Sequence, residues 1–301
     1  QSVLVIRDGR MIAEWYAPDR GPEDWATSWS MAKSFSSTLL GIAMHEGLLT
    51  SLDEPMTTYI PEWSGSGREA ITLRHVLSMS TGFEWGESRD DLTDLLEMAV
   101  RGDQLAFALE QELVETPGEV WNYSSGTSML LSRVIEEVTG MQAEQYAQLK
   151  LAEPLGFDRY EWWVDGAGST LTYCCLDATS RDFARLGQLY LQGGVWNGET
   201  LLDPSWVDLV ATAHQPDNPS YGLQFWLNQA GGEPDRPTVS RKLVAAQGHD
   251  HQFIFIFPET SMVAVRNAYF IRPEGEPVAS EGLAEAGMGL EGLAPTGTFA
   301  P

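Results

Sequence analysis

Residues 28–49 read SWSMAKSFSSTLLGIAMHEGLL, with a lysine three places after Ser30, where an apolar helix begins. Lys33 is one of only three lysines in 301 residues, the others being Lys150 and Lys242. Phe35, Leu39, Leu40, Ile42, Ala43 and Leu48 recur at helical spacing, and Gly47 stands near the expected helix end. Residues three apart on a helix share a face, so a serine in the first turn sets its hydroxyl beside the Lys33 amine. A serine hydroxyl is a poor nucleophile at neutral pH and needs a base within hydrogen-bonding reach. A buried lysine, neutral because burial disfavours its charge, can be that base. The helix N-terminus adds partial positive charge next to a developing oxyanion. Alone the pattern is weak, because serine is a common helix cap and S-x-x-K arises by chance in most chains of this length.

Upstream, VLVIRDGRMIAEWYA (3–17) alternates apolar and polar residues around Asp8-Gly9, a hairpin signal. Downstream, SLDEPMTTYIPEW (51–63) is a proline-punctuated connection, and ITLRHVLSMSTGFEW (71–85) reads as a short helix ending at Gly82. Residues 90–113 and 125–150 are mostly helical in period, divided by the Pro-Gly turn of VETPGEVWNYSS (114–125). TSRDFARLGQLYLQGG (179–194) is an amphipathic helix closed by two glycines. HQFIFIFPE (251–259) and SMVAVRNAYF (261–270) read as neighbouring antiparallel strands. The tail from Glu274, rich in Gly, Ala, Glu and Pro, holds either a short helix or partly disordered chain. Strands at both ends with helices between predict an α+β fold: an antiparallel sheet built from both chain ends, flanked by helices. We expect residues 1–50 and 170–301 to form the sheet domain and 51–169 a mainly helical inserted domain, with the site in the cleft between them.

The net charge of −25 argues against nucleic acid and anionic lipid as partners. No apolar run approaches the ~18 residues that a membrane span requires. The first residues are strand-like and lack the basic and apolar regions of a secretory leader. Cys174 and Cys175 are neighbours, and adjacent side chains usually diverge, so a disulfide between them is not expected.

Two further segments give Ser30 and Lys33 company. WNYSSGTSMLLSRVIEEVTG (121–140) sets Tyr123 just before a second helix, where a phenol can accept or relay the serine proton if nearby cations lower its pKa. The alternative for Tyr123 is plain packing with a hydroxyl at the surface. AAQGHDHQFIFIF (245–257) places His249 and His251 at the opening of a strand, with Asp250 between them. An edge strand facing a nucleophile supplies a backbone N–H to an oxyanion hole. A His-x-His metal site is the rival, but no third or fourth ligand stands out nearby.

Ser30-Met31-Ala32-Lys33, Tyr123-Ser124-Ser125 and His249-Asp250-His251, in that order, resemble the three motifs of the penicillin-recognising serine hydrolases. The nearest resemblance is to the branch of class C β-lactamases, D-alanyl-D-alanine carboxypeptidases, related esterases and 6-aminohexanoate-dimer hydrolases. LVIRDGRMIAEWY, ITLRHVLSMSTGF, PGEVWNYSSGTSMLLSRVIEEVTG and ATSRDFARLGQLYLQGGVWNGETLL extend the likeness over roughly residues 1–270. The resemblance implies that Ser30 is acylated, that Lys33 is its proton partner, and that Tyr123 protonates the leaving group and activates the deacylating water. It implies an oxyanion hole of the backbone N–H groups of Ser30 and Gln252, and substrate contacts from Ser125, His249, Asp250 and His251. No metal or cofactor is implied. Two departures matter: Ser125 stands where the family usually has asparagine, and His-Asp-His replaces Lys-Thr-Gly or His-x-Gly. Losing the lysine that binds a substrate carboxylate weakens the case for lactams and cell-wall peptides. The expectation is therefore a serine hydrolase acting on small esters or amides, with some of Trp29, Trp85, Trp121 and Trp226 lining the pocket. The alternatives are a β-lactamase or D-Ala-D-Ala carboxypeptidase, and a slowly turning over acylated sensor.

Overall fold

Asp8 and Gly9 take left-handed backbone angles, φ 48° and 70°. Two-residue hairpin turns need that geometry, and here it folds β1 (Ser2–Arg7) back on β2 (Arg10–Tyr16) as the alternation predicts. The computed structural model describes residues 1–88, 92–229, 236–268 and 297–298. After the hairpin come β3 (Trp25–Thr27), α1 (Ala32–His45), α2 (Leu73–Leu77), α3 (Thr93–Ala99), α4 (Gln104–Leu109) and α5 (Ser125–Thr139). Then follow α6 (Ala143–Ala147), α7 (Glu153–Leu155), β4 (Tyr160–Trp162), β5 (Leu176–Thr179), α8 (Ser180–Leu191), β6 (Val195–Trp196), β7 (Glu199–Thr200) and α9 (Pro204–Val210). The chain closes with β8 (Trp226–Leu227), β9 (Val244–Gly248), β10 (Gln252–Phe257), β11 (Met262–Asn267) and β12 (Gly297–Thr298).

The main sheet runs β12-β2-β1-β11-β10-β9-β8 with antiparallel neighbours, so both chain ends contribute to one sheet and the fold is mixed α+β. Successive strand residues point to opposite faces. Ile254 and Ile256 of β10 join the larger core, while Phe253, Phe255 and Phe257 belong to a second apolar cluster with Val5, Ile12 and Ala264. Helix α8 lies on the first face. Gly187 makes this possible, because a Cβ there would sit 2.6 Å from the Val263 side chain.

Helix α1 runs through the interior. Phe35, Leu39, Leu40, Ile42 and Ala43 are buried, and so are Ser34, Ser36 and Thr38. Those hydroxyls bond Gln224 O, Thr172 O and the Tyr190 hydroxyl, which offsets their desolvation. Leu48 departs from the expected stripe and is exposed, because the helix stops at His45 and Gly47 turns the chain at φ 75°. The helix expected to reach Gly82 is also short. It ends at Leu77, and Met79 takes φ 58°.

Two expectations are overturned. Cys174 and Cys175 are joined by a disulfide. The chain accommodates it in a tight turn, with Cys175 at φ 69° and Cys174 N–H bonded to Leu171 O. His249, Asp250 and His251 do not open a strand. They form the turn between β9 and β10, with Asp250 and His251 at φ 57° and 62°, and β10 lies inside the sheet. The tail from Glu274 falls outside the described residues apart from 297–298. Among the described residues no helix is long and apolar enough to cross a membrane.

Candidate active site

Ser30 sits in a single 3₁₀ turn, Trp29–Met31, that leads into α1. Trp29 takes φ 46°, a left-handed angle rare for a large side chain and of the kind that clusters at functional sites. The turn is braced from β5: Ser28 N–H bonds Leu176 O at 2.8 Å, and Leu176 N–H bonds Ser28 Oγ at 2.9 Å. On its other flank lies Gly248, the last residue of β9.

Lys33, the second residue of α1, lies one turn after Ser30 and is 1% exposed. Its Nζ lies 3.1 Å from Ser30 Oγ, 3.0 Å from Ser125 Oγ and 3.1 Å from Tyr173 O. Burial pulls its pKa down to about 8 against the opposing pull of the Glu87 carboxylate. A minor neutral fraction is thus available at about pH 7, far more than an ordinary lysine offers.

Tyr123 lies in the loop before α5. Asn122 pins this loop through its amide to Phe83 O and Trp85 O, and through its N–H to Met79 O. The Tyr123 side chain lies beside Ser30, and the Lys33 Nζ lies 4.8 Å from its ring centroid. Burial, then the charge of Glu87, pushes the phenol pKa well up, and the neighbouring Ser30 side chain opposes them. Tyr123 is therefore held as a neutral phenol, not the phenolate that nearby cations would create.

Ser125, the first residue of α5, is almost fully buried. The resemblance gives it a substrate contact; in the structure its hydroxyl accepts from Lys33 and donates to Glu87 Oε1 at 2.7 Å. Glu87 also accepts the Ser125 N–H at 2.6 Å and the Trp85 indole N–H at 2.7 Å, both on Oε2.

A pocket opens beside Tyr123, lined by Trp85, Glu87, Ser88, Trp121, Asn122 and Trp226, among others. Of the four tryptophans proposed for it, Trp29 stands apart, edge-on to His249 with ring centroids 5.6 Å apart. Tyr123 packs on Trp226 at 5.6 Å, and Tyr221 meets Trp226 at 5.1 Å and 90°. These aromatic contacts fix the phenol.

The third motif is placed less centrally. The His249 side chain is 74% exposed and lies 3.3 Å from Asp250 Oδ1. Gln252 stands opposite Gly248 in the β9–β10 ladder, and its side chain bonds Asn267 and Ala268. Strand β8 pairs only with Val244 and Ala245, so the Gly248 end of β9 lacks an outer neighbour among the described strands.

Glu87, the Tyr173 carbonyl and Gly248 were not legible from the chain. Glu87 lies in a loop with no periodicity, a backbone carbonyl has no residue signature, and Gly248 precedes the motif that drew attention.

A protein-family model described as Beta-lactamase matches residues 2–268. The 6-aminohexanoate-dimer hydrolase of Paenarthrobacter ureafaciens is 26% identical over 297 residues, covering 90% of this chain and 73% of its own. EstA from Arthrobacter nitroguajacolicus Rue61a superposes with a TM-score of 0.73 at 15% identity, over 96% of this chain and 91% of its own. The octameric penicillin-binding protein homologue from Pyrococcus abyssi gives 0.70 at 20% identity, over 96% and 72%. At those identities the two solved structures speak for the fold alone.

Proposed function

Because the chain belongs to the β-lactamase family, and is a hydrolase of it, we propose that Ser30 is its acylated nucleophile and that its substrates are small esters or amides. The observation that carries this is the Lys33 amine, buried and 3.1 Å from Ser30 Oγ, with its pKa brought down to about 8. In the first step Ser30 Oγ bonds to the acyl carbon while its proton passes to Lys33. The carbonyl electrons move onto oxygen, where the N–H groups of Ser30 and Gln252 would hold them. The tetrahedral centre then collapses. The bond to the leaving alcohol or amine breaks, and Tyr123 delivers the proton it needs while recovering one from Lys33. Water repeats the sequence on the acyl-enzyme, releasing the acid and restoring Ser30.

The site would lie between the sheet portion, residues 1–50 and 170–301, and the helical portion, 51–169. Ser30 and Lys33 come from the first and Tyr123, Ser125 and Glu87 from the second. Esters and amides are favoured over lactams because His249 is exposed and sits beside Asp250, which offers little to a substrate carboxylate. The test is a panel of short-chain esters, linear amides and lactams, with intact-mass detection of the acyl-enzyme. A Ser30-dependent adduct with esters or amides is expected. Faster turnover of a chromogenic cephalosporin than of p-nitrophenyl esters would favour a β-lactamase instead.

A further inference from the structure

We propose that Glu87 is a positioning residue that acts through Ser125 to turn the Lys33 lone pair toward Ser30. The inference rests on the reading of Ser30 and Lys33 as nucleophile and base, and it follows from counting protons. A neutral primary amine has two N–H bonds and one lone pair. Lys33 has three oxygen partners: Ser30 Oγ, Ser125 Oγ and Tyr173 O. A backbone carbonyl only accepts, so Tyr173 O takes one N–H. Ser125 has a single hydroxyl proton, and Glu87 Oε1 at 2.7 Å claims it. The Ser125 oxygen must therefore accept from Lys33, which uses the second N–H. Only the lone pair is left for Ser30, and a base needs it there.

Glu87 is itself held for this task, since Ser125 N–H and the Trp85 indole both donate to Oε2 and leave Oε1 to the hydroxyl. Once Lys33 has taken the Ser30 proton, its three N–H groups meet three acceptors and the nearby carboxylate balances the new charge. Among the described residues, the charged or titratable groups facing Lys33 are Glu87, the Tyr123 ring at 4.8 Å and the Tyr173 ring at 5.6 Å. Glu87 is the carboxylate among them, and burial raises the pKa of both phenols.

Glu87→Gln inverts the arrangement. Its carbonyl oxygen is drawn to the two N–H donors, so its NH₂ faces Ser125 and donates to it. The Ser125 proton then turns to the Lys33 lone pair, and Lys33 presents an N–H to Ser30. With p-nitrophenyl acetate we expect kcat to fall by about 10- to 100-fold, the scale of a misaligned reacting group, with KM little changed. We also expect the acidic limb of kcat/KM to move to lower pH, since the charge that raises the Lys33 pKa is gone. In a Ser125→Ala background Glu87→Gln should have little further effect on kcat. A merely structural role would give additive losses and an unmoved limb, and either result overturns the inference. If Glu87→Gln does not fold, Ser125→Ala alone must lower kcat, and an unchanged kcat overturns it as well. Ser30→Ala separates the two layers. A persisting acetyl adduct in that variant rejects Ser30 as nucleophile, whereas its loss together with an active, unshifted Glu87→Gln rejects only the role of Glu87.

Discussion

Gly248 packs so closely on the Ser28 carbonyl that a Cβ at this position would lie 2.1 Å from the oxygen and 3.2 Å from the Trp29 Cβ. Its φ is an ordinary −131°, so the demand for glycine here is steric. Gly248→Ala must push β9 away from the turn that carries Ser30 or push that turn inward. We expect a destabilisation of about 1–3 kcal/mol, typical of overpacking, and a fall in kcat of about tenfold or more from displacement of the nucleophile. Thermal unfolding and steady-state kinetics on the same sample check both. Wild-type kcat in the variant would show that the two segments separate without moving Ser30.

Tyr123→Phe isolates the phenol proton. The ring contacts with Trp226 and Tyr221 survive, so the fold should be kept. Turnover should drop by roughly 100-fold or more, the scale of acid–base assistance. The loss should be larger for amides than for aryl esters, because an amine leaves only once protonated while p-nitrophenolate leaves unaided. Equal rates in variant and wild type on an amide would remove Tyr123 from the mechanism.

Much of this architecture was legible because its signals are local. Asp8-Gly9 carries its own turn conformation, and β10 and β11 announce themselves by composition on either side of the turn at Pro258–Thr260. The order of the Ser30, Tyr123 and His249 segments pointed to a family and so to a fold. What escaped depends on distant segments meeting. Glu87 matters only because α5 starts beside it, and Gly248 only because the Ser28 carbonyl lies against it. The His249–His251 triplet misled because its residues suit a strand start in composition, while the left-handed angles of Asp250 and His251 are a tertiary outcome.

Lys33 also ties activity and stability to pH. Its native pKa, about 8, lies below its ordinary value of 10.5, so between these the unfolded chain holds more protons than the folded one. Stability from this group therefore rises as pH climbs from about 8 to 10.5, and below about 8 the cost of burying the ammonium is fully present. The buried tyrosines, whose pKa values are raised, pull the other way above about 10. The quantity to read is therefore the difference between wild type and Lys33→Met in thermal melts from pH 7 to 10. Wild type should gain on the variant across that range, and kcat/KM of wild type should rise through about pH 8. Parallel melting curves would mean that Lys33 titrates as an exposed lysine does.

The disulfide between Cys174 and Cys175 adjoins Tyr173, whose carbonyl accepts one Lys33 N–H. Linking neighbours closes almost no chain, so loop entropy gives this bridge little leverage on stability, on the order of 1 kcal/mol. Its leverage on the site is larger. The same turn is held by the Trp162 indole on Leu171 O and Cys174 O, and it continues into the Leu176 bonds to Ser28. Reduction by dithiothreitol, which transfers two electrons and two protons to give the dithiol, frees Cys175 to leave its left-handed angle and lets the Tyr173 carbonyl shift. We expect a small change in melting temperature and a severalfold fall in kcat, with alkylation and intact mass confirming two free thiols. Cys174→Ser/Cys175→Ser should behave as the reduced protein does. If the alkylated protein retains full kcat, the turn holds Tyr173 without the bridge, and the hydrogen bonds of Trp162 and Ser28 suffice to place the lysine.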